Sequence, residues 1–153
     1  MLKIVFLSLF MISSLGKEVL PKMVKKSFIT SLELNESLHM NFFNYDGAKI
    51  VSSASHVIKA LEKVKFKKME VNLKKALTYL KKVEKDANKE TNYMNYSLAN
   101  IYLIRIINKF DLGNKYRAYY CPMVRKKWIQ NYDKLKKVHN PYHPEMPHCG
   151  GLL

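Results

Sequence analysis

The sequence predicts an all-α fold, an antiparallel four-helix bundle followed by an irregular C-terminal tail that packs on it. Apolar residues recur at intervals of three and four through four successive segments, as on the buried face of a helix. No segment alternates apolar and polar residues as a half-buried strand would, and short polar links join the four segments. The chain also holds only 5 glycines in 153 residues, which leaves few breaks within the helices.

A polar break separates the first two predicted helices. Pro21 is predicted to stand in the opening turn of the first helix, where a missing N–H costs nothing, and the apolar stripe extends to Phe42. Residues 44–47 end this helix. The carboxylate of Asp46 is expected to cap the second helix, whose apolar stripe covers residues 51–64.

The third and fourth helices complete the predicted bundle. Residues 69–87 keep the four-three spacing of a coiled-coil seam and turn their lysines outward. Residues 90–110 are apolar on so much of the helix surface that we expect the fourth helix to be the most buried. Gly113 is expected to end it in the left-handed conformation. The bundle therefore covers about residues 21–112 of a single domain, residues 17–153.

The N-terminus has the pattern of a secretory signal. Lys3 precedes an apolar and small-residue run, residues 4–15, which is shorter than the roughly 20 residues that a membrane-spanning helix needs. Gly16 is a small residue at a suitable cleavage position. We therefore predict a signal peptide over residues 1–16 and export of the protein to the periplasm.

The chain is strongly basic, with a formal net charge of +15. Three lysine pairs recur every seven residues on one face of the third predicted helix: Lys67, Lys68, Lys74, Lys75, Lys81 and Lys82. A solvated helix face is the simpler interpretation, and such a charge predicts at most weak association with anionic membranes. The scarcity of arginine and the absence of a nucleic-acid-binding motif argue against nucleic acid as a partner.

The residue patterns of common catalytic sites are missing from the sequence. There is no C-x-x-C, no H-E-x-x-H and no glycine-rich phosphate loop. His39 and His56 lie within predicted helices and are interpreted as ordinary surface or core residues. We predict that the protein is not an enzyme.

Soft metal-binding side chains are concentrated in the tail, about residues 116–153. It contains both cysteines of the chain, each close to a methionine. Thiolate and thioether sulfurs are soft donors that suit Cu(I) or Ag(I) better than hard cations. Zinc, which needs only the cysteines and a histidine, is the less favoured ion. The predicted ligands are Cys121, Met123, Met146, His148 and Cys149.

The same two cysteines also fit a disulfide. In an oxidising compartment an even pair of cysteines is usually bridged, and closing this loop would stabilise the fold by roughly 3 to 4 kcal/mol. Both interpretations hold together if the pair binds metal when reduced and clips the tail when oxidised. The sequence leaves these alternatives open.

A series of short motifs in the tail resembles a known family. The pieces are, in order, Cys121-Pro122-Met123, Trp128, Asn140-Pro141-Tyr142 and Met146-Pro147-His148-Cys149-Gly150. They are similar to a bacterial family of small exported proteins of unknown function, whose domain also occurs fused to CusB-type membrane-fusion subunits of copper and silver efflux systems. The resemblance implies a helical bundle with this C-terminal motif. It also implies heavy-metal binding through Cys121, Met123, Met146 and Cys149.

Two functions are therefore expected. The first is a periplasmic Cu(I)- or Ag(I)-binding protein that buffers the metal or delivers it to an efflux system, with a membrane-fusion subunit as its partner. The alternative is a structural or interaction module of the cell envelope that binds no metal and is clipped by a disulfide between Cys121 and Cys149.

Overall fold

The computed structural model describes residues 16–153, which form four α-helices and three β-strands. The helices are α1 (Lys22–Asn44), α2 (Gly47–Glu62), α3 (Glu70–Leu80) and α4 (Lys89–Lys109), and the strands are β1 (Tyr116–Cys121), β2 (Lys126–Asn131) and β3 (Gly151–Leu152). Apart from Gly16, the predicted signal peptide lies outside the described residues. None of the four helices is long and apolar enough to cross a membrane.

The prediction of an all-α fold is wrong, because the tail forms a three-stranded antiparallel sheet with the order β2-β1-β3. β1 and β2 pair from Tyr116 opposite Asn131 to Cys121 opposite Lys126. Neighbouring residues on both faces of these strands are buried, so the strands lack the apolar and polar alternation of a half-buried sheet. The alternation of apolar and polar residues that predicts a half-buried strand is therefore missing from β1 and β2.

The break between the first two helices is as predicted. α1 begins directly after Pro21 and ends at Tyr45, whose backbone is left-handed with φ of 46°. A carboxylate oxygen of Asp46 accepts a hydrogen bond from the Lys49 N–H at 3.1 Å, which confirms the predicted cap of α2.

The third helix is shorter than predicted, because α3 ends at Leu80 instead of continuing to residue 87. Beyond it, the side chain of Asn92 binds the backbone of Glu84. Its Oδ1 accepts from the Glu84 N–H at 3.1 Å, and its Nδ2 donates to the Glu84 carbonyl at 2.7 Å. Val83 is buried within the loop that these bonds hold. Val83 therefore continues the apolar spacing of the helix in sequence, although it packs into the core from a loop.

The fourth helix matches its predicted range but does not end at Gly113. α4 ends before Phe110, whose extended backbone forms a parallel bridge with Glu18. The Glu18 N–H donates to the carbonyl of Lys109 at 2.9 Å, and the Asp111 N–H donates to the carbonyl of Glu18 at 2.8 Å. Gly113 does adopt a positive φ of 79°, but in the following turn. Pairing with the N-terminal segment therefore ends the helix.

Helices and sheet share one hydrophobic core. α1 packs against α2 and α3 against α4, while β2 lies on α4. Phe42 of α1 stacks on Tyr96 of α4, with ring centroids 4.2 Å apart. Tyr142, in the loop between β2 and β3, contacts both Tyr96 and Trp128 at centroid distances of 5.9 and 6.1 Å. The tail therefore contributes side chains to the same hydrophobic core as the four helices.

Two side chains of α4 cover the outer edge of β2. The Oγ of Ser97 accepts from the N–H of Lys127 at 3.0 Å, and the Oδ1 of Asn100 accepts from the N–H of Ile129 at 3.1 Å. β2 is an edge strand of the described sheet, so these N–H groups have no strand partner. Ser97 and Asn100 satisfy them where water is excluded.

We expect Asn100→Ala to lower the free energy of unfolding by about 1 to 3 kcal/mol, because it leaves the buried N–H of Ile129 without an acceptor. Urea unfolding followed by circular dichroism measures this change. Asn95→Ala is the matched control, since Asn95 lies on the same helix and makes one exposed hydrogen bond to Lys82. Equal losses in the two variants would contradict the role assigned to Asn100.

Candidate functional site

The two cysteines form a disulfide in this structure. Cys121, at the end of β1, and Cys149, just before β3, lie 28 residues apart in sequence with their Cα atoms 5.7 Å apart. Cys121 is fully buried and Cys149 is half-buried. Of the alternatives that the sequence left open, the structure therefore contains the disulfide. A disulfide is compatible with an oxidising compartment.

Asn140 organises the loop that carries Cys149. It is fully buried, its Oδ1 accepts from the Tyr142 N–H at 2.9 Å, and its Nδ2 donates to the Cys149 carbonyl at 3.2 Å. Its own N–H donates to the Pro147 carbonyl at 2.7 Å. The Asn-Pro-Tyr motif therefore positions the second cysteine through one amide side chain.

Tyr142 anchors the same loop on the sheet. Its hydroxyl donates to the carbonyl of Lys127 at 2.7 Å, and burial together with the neighbouring Tyr96 raises its pKa. Trp128 lies beside it with no side-chain exposure. These aromatic residues hold the loop on the sheet.

The glycine that follows Cys149 is required by close packing. A Cβ at Gly150 would lie 2.7 Å from the Trp128 ring and 3.0 Å from the carbonyl oxygen of Tyr120. Its φ of 135° is also one that side chains rarely allow. The Cys-Gly pair of the motif is therefore the point at which the chain enters the sheet beside Trp128.

The predicted metal ligands are only partly brought together. The structure joins Cys121 to Cys149, whereas the side chains of Met123 and Met146 are 71% and 38% exposed. His148 is exposed, and its Nδ1 donates to the Val138 carbonyl at 2.7 Å, which leaves the lone pair on Nε2. Within residues 16–153 no group of three or more His, Cys, Asp or Glu side chains is arranged to hold a metal ion.

A histidine pair, in which His39 is buried and His139 is half-buried, links the tail to α1. Nε2 of His39 and Nδ1 of His139 share a hydrogen bond at 2.8 Å although the residues are 100 positions apart. The ring of Phe43 covers His139, with centroids 4.1 Å apart. His39 is 2% exposed, and its Nδ1 has no hydrogen-bond partner among the described residues. From the sequence, His39 is interpreted as an ordinary surface or core residue. Its position next to Leu38, on the buried side of α1, was the sequence signal for a buried histidine.

Both histidines of this pair have a pKa below the usual value of the side chain. Burial, with a smaller contribution from His139, lowers the pKa of His39 to about 3. Burial and the charge of nearby His148 lower the pKa of His139. The lowered pKa values favour the uncharged form of both imidazoles in this link between α1 and the tail.

A second link between the tail and α1 is centred on Glu36. Its carboxylate accepts hydrogen bonds from the Tyr116 hydroxyl, the Asn131 amide and the Lys134 ammonium at 2.6, 2.7 and 2.6 Å. Burial by itself would raise the pKa of Glu36, but these donors lower it overall. The carboxylate of Glu36 therefore joins α1 to the tail through three hydrogen bonds, one of which is an ion pair with Lys134.

Comparison with family models, with curated proteins and with solved structures finds no match to this chain. The resemblance of the tail motifs to the exported bacterial family therefore stays a prediction.

We expect the stability of the protein to fall on mild acidification because of His39. The unfolded chain binds a proton at this residue near pH 6.5, whereas the folded protein keeps it neutral down to about pH 3. The contribution is complete above pH 6.5 and declines as the pH drops from 6.5 towards 3. Between pH 7.5 and pH 5 it amounts to about 2 kcal/mol, measurable by urea unfolding.

His39→Leu should flatten this part of the pH profile, and His56→Leu, at an exposed position of α2, should leave it unchanged. The comparison concerns the slope with pH and not the absolute stability, which His39→Leu also changes. Parallel pH profiles for the wild type and His39→Leu would contradict the assignment.

Proposed function

We propose that this protein is an exported, non-catalytic interaction module of the cell envelope, with the C-terminal loop clipped onto the sheet by the Cys121–Cys149 disulfide. The disulfide is the observation that supports this proposal best. A bridge with one buried cysteine is stable in an oxidising compartment such as the periplasm. The signal-peptide pattern of residues 1–16 agrees with that location.

Binding is favoured over catalysis because buried polar side chains of this protein make structural hydrogen bonds. Asn100 satisfies an edge strand, Glu36 joins α1 to the tail, and Tyr142 anchors the loop. Each of these side chains is committed to a structural hydrogen bond. We therefore infer that the protein acts through its surface.

The surface that we assign to partner binding is the lysine face, defined as Lys67, Lys68, Lys74, Lys75, Lys81 and Lys82. All six side chains are exposed. Lys68 pairs with Glu18 at 2.6 Å and Lys81 with Glu62 at 2.7 Å. The other four have no carboxylate within ion-pair distance in residues 16–153. This excess of positive charge favours an anionic partner in the envelope.

We expect Lys75→Glu/Lys82→Glu to weaken association with isolated envelope fragments by about tenfold, because each substitution replaces attraction with repulsion. Co-sedimentation at low and high salt measures the effect. Lys26→Glu/Lys59→Glu, at exposed lysines of α1 and α2, makes the same change of net charge elsewhere. Equal binding by the two double variants would contradict the lysine face as the binding surface.

A second candidate function, soft-metal binding, is favoured by the exposure of Met123 and Met146. Both apolar side chains lie near the disulfide in sequence, yet both project from the core. If a dithiol of the compartment reduced the bridge, its two electrons and two protons would convert the disulfide to two thiols. Cu(I) or Ag(I) would then displace the thiol protons and bind the thiolates, with the thioethers and His148 as further ligands. Zinc suits this set less well.

In this second function the protein buffers the metal or delivers it to the membrane-fusion subunit of an efflux system. We expect anaerobic titration against a competing chelator to show one tightly bound Cu(I) per chain after reduction and none before it. Cys121→Ala/Cys149→Ala should abolish that binding, and Met123→Leu/Met146→Leu should weaken it.

Met40→Leu/Met94→Leu is the matched control, because these exposed methionines lie on α1 and α4 and neither is close to a cysteine in sequence. It should bind Cu(I) like the wild type. Full retention of one-to-one binding by the cysteine variant would exclude the site.

A further inference from the structure

A cleft lies between the end of α2 and α3, where the linker between these helices crosses. Its volume is about 890 Å³, within the range of about 300–1,000 Å³ that is usual for small-ligand sites. Its floor is apolar. The floor residues are Leu61, Val64, Phe66, Leu73 and Leu77.

The rim of the cleft is predominantly basic. The lysines at the rim are Lys65, Lys67, Lys74 and Lys81, and the acidic residues are Glu62 and Glu70. The ion pair at 2.7 Å between Lys81 and Glu62 neutralises one residue of each kind. Three lysines then face one remaining carboxylate, so the rim attracts an anion.

We propose that this cleft binds a single-chain anionic amphiphile, a long-chain carboxylate, with its alkyl chain over the apolar floor and its head group among the rim lysines. A small hydrophilic anion would leave the floor without a partner, and a neutral apolar molecule would leave the lysines without one. The amphiphile satisfies both surfaces at once.

A single chain fits this arrangement better than a bilayer surface does. Leu61, Val64 and Leu73 are buried, so the apolar surface that a ligand can reach belongs to the half-buried Phe66 and Leu77, which line the cleft together with exposed lysines. A flat surface meets the ammonium groups first, whereas a flexible alkyl chain can enter between them. The apolar contact that gives the ligand its affinity is therefore open to a narrow ligand and closed to a broad one.

The inference rests on the proposed function, because Lys67, Lys74 and Lys81 belong to both the cleft rim and the lysine face. Other residues separate the two sites. Lys65 and Thr78 line the cleft only, whereas Lys75 and Lys82 belong to the lysine face only. Substitutions at these positions test each site without the other.

The test is isothermal titration calorimetry of the purified protein with dodecanoate, kept below its micelle concentration. We expect saturable one-to-one binding. Dodecyltrimethylammonium has the same chain with a cationic head, and we expect it to bind at least about tenfold more weakly. Acetate, which has the head group without the chain, should give no measurable heat of binding.

Three variants locate the site. Leu77→Glu places a carboxylate on the floor and should weaken dodecanoate binding by about tenfold or more. Thr78→Glu does so at an exposed rim position and stays informative if Leu77→Glu fails to fold. Lys65→Glu should weaken binding, and the matched control Lys75→Glu/Lys82→Glu should bind dodecanoate within about twofold of the wild type.

Several results would overturn the inference. These are absence of saturable dodecanoate binding, equal affinity for the cationic analogue, and unchanged affinity in Thr78→Glu. Association with anionic vesicles without dodecanoate binding would identify a bilayer as the ligand instead. If dodecanoate binding fails while the wild type still sediments with envelope fragments in a Lys75- and Lys82-dependent way, this inference fails alone. If dodecanoate binds but the lysine-face variant sediments like the wild type, the proposed function fails alone.

Discussion

The outer edge of β2 meets α4 through backbone N–H groups that only side chains can satisfy, and the rest of the C-terminal region depends on this contact. Ser97 and Asn100 accept those hydrogen bonds from Lys127 and Ile129 inside the core. A buried strand edge without such acceptors would be strongly unfavourable. Because α4 fixes β2, β2 fixes β1 and the position of Cys121, and the disulfide then holds the final loop.

The C-terminal loop is held by two ties of different chemistry. At one end the Cys121–Cys149 bridge is covalent and responds to reduction. At the other end His139 is hydrogen-bonded to His39, a buried imidazole that burial keeps uncharged down to about pH 3. The side chain of Gln130 supports this second end by accepting from the His139 N–H at 3.0 Å. The disulfide joins two residues of the C-terminal region, whereas the histidine pair joins residues 100 positions apart and restrains the loop only when α1 lies against the tail.

The proposed binding sites lie on different elements of the fold. The lysine face and the neighbouring cleft are built from α3, the segments on either side of it and the end of α2, and these helices pack against each other and, through α3, against α4. The disulfide and the exposed Met123 and Met146 belong to the sheet and to the loops that connect its strands. α4 lies between these regions as a common support. Substitutions can therefore change the charge of the lysine face while the disulfide and the methionines stay intact. Substitutions of the cysteines or methionines likewise leave the lysine face unchanged.

The sequence by itself determined the local features of this protein: the four helices, the cap at Asp46, and the placement of both cysteines in the C-terminal segment. These depend on interactions within a few residues, which apolar spacing and cap preferences report directly. Only the tertiary structure decided the sheet, because burial of both strand faces by α4 and the loop removes the alternating pattern. It also decided between the alternatives that the sequence left open for Cys121 and Cys149, because it brings them together as a disulfide. The contact of His39 with His139 came only from the tertiary structure, since a contact across 100 residues leaves no local pattern in the sequence.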